Sequence, residues 1–148
     1  MRESVSSMHR IRIRIGNRTF RGTLNETLTA RLLWEAMPFY SDAARWGDEI
    51  YFASPVHGAR QDPVTSDVSV GDLAFWPPGN AFCIFFGPTP GSNGAPRPLS
   101  PLVLIGRIEA APEELRRVRD GEPVRVEAIE PAPEAPVPPA FSDAPVSS

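Results

Sequence analysis

Two apolar, aromatic-rich runs in the middle of the chain dominate its pattern of hydrophobic and polar positions. They lie between Gly71 and Pro90, on either side of the corner Pro77-Pro78-Gly79. β-branched and aromatic residues favour a pleated, half-buried surface. Proline has no backbone N–H to donate to a sheet, so the corner belongs to the connection. The pattern therefore predicts two neighbouring strands with a proline-rich turn between them.

Strict alternation near the N-terminus predicts another strand. One face carries Ile11, Ile13 and Ile15, and the other carries Arg10, Arg12 and Arg14. A turn at Gly16-Asn17 leads to a second strand, from Thr19 to Gly22. The arginine face is either a phosphate-binding stripe or a solvated face whose like charges protect a sheet edge. The acidic charge of the whole chain favours the solvated face.

Two short helices are predicted. Thr23 and Glu26 fit a capping box, so the first helix is expected to begin there and to end near Met37, before Pro38. Its apolar stripe would consist of Leu28, Leu32, Leu33 and Ala36. The second helix is expected from Pro112 to Arg119, with acidic residues at its start and arginines at its end, as the helix dipole favours.

The remaining apolar segments predict further strands. Phe39 to Trp46 and Glu49 to Ala53 would form a hairpin around Gly47-Asp48. The continuous apolar run from Leu102 to Ile108 predicts a strand buried on both faces, and Val124 to Ala128 predicts the last strand. The loop over residues 87–101 is rich in Gly, Pro, Ser and Asn. Long loops on a rigid scaffold often frame a binding surface.

Composition indicates one globular domain between two flexible ends. The chain has 148 residues, 41% apolar and 22% charged, which is ordinary for a single folded domain. We expect a flexible N-terminus over residues 1–8, a β domain over 9–128 and a disordered Pro-rich tail over 129–148. A structural role, in which the tail tethers the domain to another protein, is one possible function.

Charge and targeting signals narrow the expected partners. The net charge of −3 gives no general attraction to nucleic acid or anionic lipid. The first residues lack the apolar core of a secretory signal, and a single cysteine fits a reducing compartment. We therefore expect a cytoplasmic protein that needs no cofactor or metal and has no nucleic-acid or membrane partner.

Several motifs together resemble a known family. They are Trp46-Gly47-Asp48-Glu49-Ile50-Tyr51-Phe52, Val70-Gly71-Asp72, Phe75-Trp76-Pro77-Pro78-Gly79 and Cys83-Ile84-Phe85-Phe86-Gly87-Pro88-Thr89-Pro90. This combination resembles the small prokaryotic cyclophilin-like family, long catalogued as a domain of unknown function. The resemblance covers Ile11 to Ala128. It implies a mainly β fold, a closed cyclophilin-like β-barrel with two short helices.

The resemblance also raises prolyl cis/trans isomerisation as a possible activity. True cyclophilins use an arginine that donates toward the prolyl nitrogen, an apolar pocket, and a histidine and a tryptophan at its rim. The position that matches the histidine is Leu102, and the pocket phenylalanine matches Cys83, with Phe82 beside it. The arginine's position falls in Ala53-Ser54-Pro55. An isomerase of this kind would need a substitute arginine, such as Arg45 or Arg60.

Other chemistry has weaker support. Nothing near Cys83 in sequence would activate its thiol, which favours a buried structural role. His9 and His57 with one cysteine are too few for a zinc site. Ser54 and His57 lack an orienting acid. The neighbours Asp48-Glu49 point to opposite faces of a strand and make a poor acid/base pair.

The aromatic residues and one acid supply the candidate binding site. Along the second central strand, alternation places Phe82, Ile84 and Phe86 on one face and Ala81, Cys83 and Phe85 on the other. One face must be core, and the other can line a groove under the 87–101 loop. The candidate binding residues are Glu49, Tyr51, Trp76, Phe82 and Phe86. We predict a non-enzymatic binding module for a peptide or small ligand. The alternatives are a prolyl isomerase with a substituted active site, and aromatic residues that are all core.

Overall fold

A computed structural model of the chain describes residues 9–129. Its strands are β1 His9–Ile15, β2 Arg18–Leu24, β3 Phe39–Asp42, β4 Ala44–Arg45, β5 Glu49–Ala53, β6 Asp72–Trp76, β7 Ala81–Phe85, β8 Val103–Glu109 and β9 Pro123–Ala128. Helix α1 is Leu28–Glu35, helix α2 is Pro112–Leu115, and a single 3-10 turn covers Pro77–Gly79. The predictions for residues 1–8 and 130–148 lie outside the described residues.

The strands form one antiparallel sheet that closes almost completely on itself. Their order is β3-β9-β1-β2-β8-β6-β7-β5-β4. The strands at the two ends of this order, β3 and β4, are separated in the chain by Ala43 alone. The segment from Phe39 to Arg45 therefore pairs with β9 at one edge and with β5 at the other. The predicted mainly β barrel with two short helices is confirmed.

The barrel interior is filled by large apolar side chains. Ile11, Ile13 and Ile15 of β1 are fully buried, as their alternation predicts. On the opposite side of the barrel, the rings of Phe52 and Phe82 stack with their centroids 5.0 Å apart. Each such side chain stabilises the fold by about 1.5–3 kcal/mol when it is fully buried. The inner face of the sheet is therefore the main source of stability.

The arginine face of β1 lies outside the barrel and meets a carboxylate from the neighbouring strand. Arg12 forms an ion pair of 2.9 Å with Glu127 of β9. The same acid accepts a second contact of 3.1 Å from Arg125. This pairing lowers the pKa of the Glu127 carboxyl below its usual value, mainly through the hydrogen bond from Arg12. The face is a mixed ionic surface and not a continuous basic stripe.

The start of helix α1 differs from the prediction. Thr23 does not cap it, because β2 continues to Leu24 and pairs with β8 there. The cap is Thr27, whose hydroxyl oxygen accepts from the Ala30 N–H at 3.1 Å. The distant Asp62 carboxylate accepts two further N–H groups of the first turn, at 3.0 and 2.6 Å. Desolvation raises the pKa of Asp62, but its hydrogen bonds to the first turn outweigh that effect and lower the pKa overall.

Three other details of the prediction are wrong. Helix α1 buries Thr29, Ala30 and Leu33, whereas Leu28 and Leu32 of the expected stripe are exposed. Strand β8 is not buried on both faces, because its residues alternate between the core and a partly covered outer face. Helix α2 also stops at Leu115, short of the expected Arg119. No helix within residues 9–129 is long and apolar enough to cross a membrane.

The predicted hairpin around the proline corner is confirmed, whereas the one around Gly47-Asp48 is shorter than predicted, because Phe39–Asp42 pairs with β9 and only Ala44–Arg45 pairs with β5. Strands β6 and β7 pair on either side of the proline corner. Strands β4 and β5 pair around a turn closed by two backbone bonds between Trp46 and Glu49, of 2.9 and 3.1 Å. Gly47 takes a φ of +60° in that turn, a conformation that glycine adopts without strain. The turn positions Glu49 as the first residue of β5.

Candidate functional site

A pocket lies on the outer face of strands β5, β6 and β7, beneath the loop that follows β7. Its volume is about 130 Å³. We call it the outer pocket. It is lined by Trp46, Glu49, Tyr51, Trp76, Ala81, Cys83, Pro98, Leu99 and Leu102.

The strand register explains why a space remains there. Tyr51 pairs with Cys83 across β5 and β7, and Trp76 pairs with Ala81 across β6 and β7. Each pair thus sets a large aromatic residue beside a small one. Because directly paired side chains stand on the same face of a sheet, the small residues of β7 leave a gap between the rings.

Glu49 is the one charged residue of the pocket lining. Only 7% of its surface is exposed. No arginine of residues 9–129 forms an ion pair with its carboxyl, and the one side chain that opposes the effect of burial on its pKa is the Cys83 thiol. Burial raises the pKa of Glu49 to about 7, and the Cys83 hydrogen bond opposes that rise. Glu49 thus lines the pocket as a buried carboxyl that has no cationic partner among residues 9–129.

Cys83 is a buried thiol beside that carboxyl. Burial and the charge of Glu49 raise the pKa of the thiol well above its usual value. Its sulfur lies 3.8 Å from the carbonyl oxygen of Ala81. A thiol with a raised pKa is a poor nucleophile, so the predicted structural role of Cys83 agrees with its surroundings.

The loop wall of the pocket is fixed by side-chain hydrogen bonds. The indole N–H of Trp76 donates to the hydroxyl of Ser100 at 2.8 Å. Farther along, buried Thr89 donates to the Arg97 carbonyl at 2.7 Å and accepts from the Arg97 N–H at 3.0 Å. Leu99 stands between these two attachments, 73% exposed. The loop thus holds an exposed apolar side chain at the pocket rim.

The structure brings three of the five candidate binding residues together. Glu49, Tyr51 and Trp76 all line the outer pocket. Phe82 and Phe86 do not line it, because both lie on the inner face and are 0% and 1% exposed. The structure therefore does not bring these two residues together with the other three. Side chains alternate along a strand, so residues beside Cys83 on β7 must point the other way.

Several lining residues were missed at the level of sequence. They are Trp46, Ala81, Cys83, Pro98, Leu99 and Leu102. A usable signal existed for Ala81 and Cys83, since alternation places them on the face opposite Phe82. Pro98 and Leu99 carried no such signal, because a loop has no periodicity to read.

Comparison with known proteins identifies the family of this barrel. A family model described as cyclophilin-like matches residues 9–127. The chain belongs to the cyclophilin-like family. It is similar to the solution structure of the hypothetical protein AF2241 from Archaeoglobus fulgidus, with 40% identity and a TM-score of 0.72. That match covers 83% of this chain and 96% of the other. A search of curated proteins found no match.

The positions matched to the cyclophilin active site fall partly within the outer pocket. Leu102 and Cys83, which stand where the histidine and the pocket phenylalanine are expected, both line it. Neither arginine considered as a substitute does. Arg45 donates to the backbone carbonyls of Gly47, Arg116 and Val118 at 2.8–3.0 Å. Arg60 lies exposed in the loop after β5.

Metal chemistry has no candidate cluster in the described part of this cyclophilin-like chain. No group of three or more His, Cys, Asp or Glu residues lies close enough together there to hold an ion. His57 is exposed, and His9 stacks on Trp34 with ring centroids 4.2 Å apart. The chemistry that the outer pocket offers is therefore apolar contact, aromatic contact and one carboxyl group.

Proposed function

We propose that this cyclophilin-like domain is a binding module that holds the end of a peptide or small ligand in the outer pocket, without catalysing prolyl isomerisation. The observation that carries the proposal is the Glu49 carboxyl, which is buried, lines the pocket together with three aromatic residues and has no cationic partner among residues 9–129. Burying an unpaired carboxyl is costly. A group retained at such a cost without a structural partner is a candidate for recognition.

The size of the pocket limits what enters it. Drug-sized ligands occupy pockets of about 300–1,000 Å³, whereas the outer pocket measures about 130 Å³. It therefore accepts a head group or one side chain, and the rest of the ligand lies over the rim formed by Leu99. Such a site suits the end of a small molecule or a single residue of a peptide.

Isomerase activity has less support. Catalysis requires a donor directed toward the prolyl nitrogen, to stabilise the amide as it loses resonance. Within the pocket lining, the Trp76 indole N–H is already bonded to Ser100. Arg45 is bonded to backbone carbonyls away from the pocket. Isomerisation by a substituted active site is therefore the second choice. Cytoplasmic location and the lack of nucleic-acid or membrane partners also remain predictions.

A matched pair of tyrosine variants tests the binding proposal. Tyr51 lines the pocket, whereas Tyr40 is 67% exposed on β3, away from it. A fragment set and short Xaa-Pro peptides are screened by ligand-observed NMR against the full chain. We expect Tyr51→Ala to weaken the hits about tenfold, the loss of about 1.4 kcal/mol of contact, and Tyr40→Ala to leave them unchanged.

Two results would contradict this function. Hits that weaken equally in both tyrosine variants would place binding outside the outer pocket. Acceleration of Xaa-Pro isomerisation by the folded chain, lost on Arg45→Ala or Arg60→Ala, would replace the binding module by an isomerase. The assay is run on the same preparations, whose folding is checked by near-UV circular dichroism.

A further inference from the structure

We infer that the outer pocket selects an alkylated ammonium head group, a cation whose nitrogen carries methyl or other alkyl groups in place of most of its N–H bonds. The inference rests on the proposed function and names the ligand class of the same site. It follows from three features of the lining: its charge, its aromatic rings and its shortage of hydrogen-bond acceptors.

The lining carries a negative charge that no positive side chain of residues 9–129 balances. Glu49 is buried, and no basic side chain of residues 9–129 lies in the pocket with it. Its neighbour Asp48 is turned away and pairs with Arg45 and Arg116 at 3.3 and 3.0 Å. Asp48 thus has two cationic partners, whereas Glu49 has none among residues 9–129. A cationic ligand would supply the partner that a buried carboxylate requires.

The aromatic residues favour the same sign of charge. Trp46, Tyr51 and Trp76 approach the pocket from the β4–β5 turn, from β5 and from β6. The faces of aromatic rings carry negative potential and attract cations, and tryptophan does so most strongly. Several such rings around one site with a carboxylate recognise cations rather than anions. A neutral apolar ligand would use the rings but leave Glu49 without a partner.

The shortage of acceptors selects an alkylated cation over a primary amine. A primary ammonium has three N–H donors, each of which needs an acceptor once water is removed. Among the lining side chains, only the Glu49 carboxyl and the Tyr51 hydroxyl accept a hydrogen bond well. Alkyl groups on the nitrogen remove these donors and pack against Ala81, Leu99 and Leu102 instead.

Ionisation of Glu49 makes this recognition dependent on pH. Two other titratable groups lie around it. They are the Cys83 thiol from β7, whose pKa is raised well above its usual value, and the Tyr51 phenol from β5. The other elements contribute Trp46, Trp76, Pro98 and Leu99, which do not titrate. With the pKa of Glu49 at about 7, the binding-competent carboxylate becomes about tenfold more populated between pH 6 and pH 8.

Choline and 3,3-dimethylbutan-1-ol make a matched pair of probes. The two have the same shape, but only choline is charged. Binding to the full chain is measured by tryptophan fluorescence and ligand-observed NMR at pH 8. We expect choline to bind at least about tenfold more tightly than the neutral isostere, and its affinity to fall about tenfold at pH 6.

Two variants show whether the preference comes from Glu49. Glu49→Gln keeps the shape and removes the charge. Glu109→Gln removes a charge from the exposed far end of β8, opposite the end near Leu102. The choline preference should disappear in the first variant and persist in the second. If Glu49→Gln fails to fold, the pH dependence of the unmodified chain still decides the question.

Further probes separate the two sources of such a head group. A peptide with one trimethyllysine and the same peptide with unmodified lysine are compared with choline. Tighter binding of the trimethyllysine peptide than of choline assigns the site to a methylated protein side chain. Tighter binding of choline assigns it to a free alkylammonium metabolite. Either result supports the inference if unmodified lysine binds more weakly.

The outcomes that overturn this inference differ from those that overturn the binding proposal. Equal affinity for choline and its neutral isostere, or affinity that does not change with pH, refutes the cation preference while the pocket remains a binding site. The absence of binding by both probes also refutes it. The tyrosine variants test the pocket itself with the fragment set and the Xaa-Pro peptides, so the proposed function can stand or fall independently of the cation preference.

Discussion

The two faces of strand β7 follow opposite packing rules. The inner face carries Phe82 and Ile84, both 0% exposed, and strands on every side of the barrel close over them. The outer face carries Ala81 and Cys83 between the larger Tyr51 and Trp76. Here a loop, and not a sheet, provides the cover. The inner face is therefore filled, whereas the outer face keeps a pocket.

This contrast separates stability from recognition along a single strand. A protein interior packed to crystal-like density tolerates few voids and no unpaired charge. The outer face departs from both conditions at one place, through the outer pocket and the Glu49 carboxyl. Folded proteins usually depart from good packing only at functional sites, so we expect function at this place. Substitutions on the two faces should therefore differ in what they change, and by how much.

The largest expected difference comes from the same truncation on the two faces. Phe82 lies inside the barrel. Phe85 is fully buried in a smaller apolar cluster on the outer face of the sheet, together with Val68, Ala74, Ala81, Cys83 and Leu102. We expect Phe82→Ala to reduce the free energy of unfolding by about 4 kcal/mol, since the barrel cannot collapse around the cavity. Phe85→Ala should cost less, about 3 kcal/mol, because fewer buried side chains surround it than surround Phe82. Urea denaturation measures both. Equal costs would mean that the two clusters are packed equally tightly.

The next effect is a dependence of stability on pH that originates from Glu49. Its folded pKa of about 7 exceeds the ordinary 4.5, so the folded state binds more protons than the unfolded state between these values. Stability is therefore lost as pH rises from 4.5 to 7. The loss is complete above pH 7 and amounts to about 3 kcal/mol.

Glu49→Gln removes this dependence. The variant should match the unmodified chain near pH 4.5 and exceed its stability by about 3 kcal/mol at pH 8. Urea midpoints at the two pH values give the comparison, with Glu109→Gln as the charge-matched control. An unchanged difference between the two pH values would mean that the Glu49 carboxyl is solvated in the folded protein.

The sequence predicted the faces of the strands better than it predicted the members of the site. Period-two alternation correctly separated Ile50 and Phe52 from Glu49 and Tyr51. The same rule, applied strictly to β7, would have excluded Phe82 and Phe86 from the pocket. They were included because of their aromatic character, which does not determine on which face a side chain lies. Local periodicity was the stronger evidence.

Other features could not be read from local sequence because distant residues determine them. The start of α1 depends on Asp62, which lies more than 30 residues from the Leu28 and Thr29 N–H groups that it binds, and on the pairing of β2 with β8. The pKa of Glu49 depends on its burial in the folded protein. The loop at the pocket is held by the hydrogen bond from Trp76 to Ser100, a contact that no periodic pattern in the sequence predicts.

A smaller effect on stability is expected for Arg45, on the side of the β4–β5 turn that faces away from the pocket. Its guanidinium lies 5.1 Å from the centre of the Phe86 ring and bonds three backbone carbonyls. Arg45→Ala should cost about 2 kcal/mol of stability, because three backbone carbonyls lose a charged donor and the Phe86 ring loses its cation–π contact. Ligand affinity in the outer pocket should not change, as for the exposed control Arg60→Ala. Loss of binding with stability intact would instead assign Arg45 to the site.

The smallest effect on stability, with a measurable effect on binding, is expected for Leu99. Because this side chain is 73% exposed, Leu99→Ala should change the free energy of unfolding by less than about 0.5 kcal/mol. It should still weaken choline binding about threefold, since the rim loses apolar contact with the ligand. Leu32→Ala, exposed on α1, is the matched control and should affect neither property. The contrast between the two faces predicts that a loop residue such as Leu99 contributes to ligand binding but not to folding stability. If Leu99→Ala destabilised the fold as much as an inner-face truncation, the loop would belong to the core and the contrast would fail.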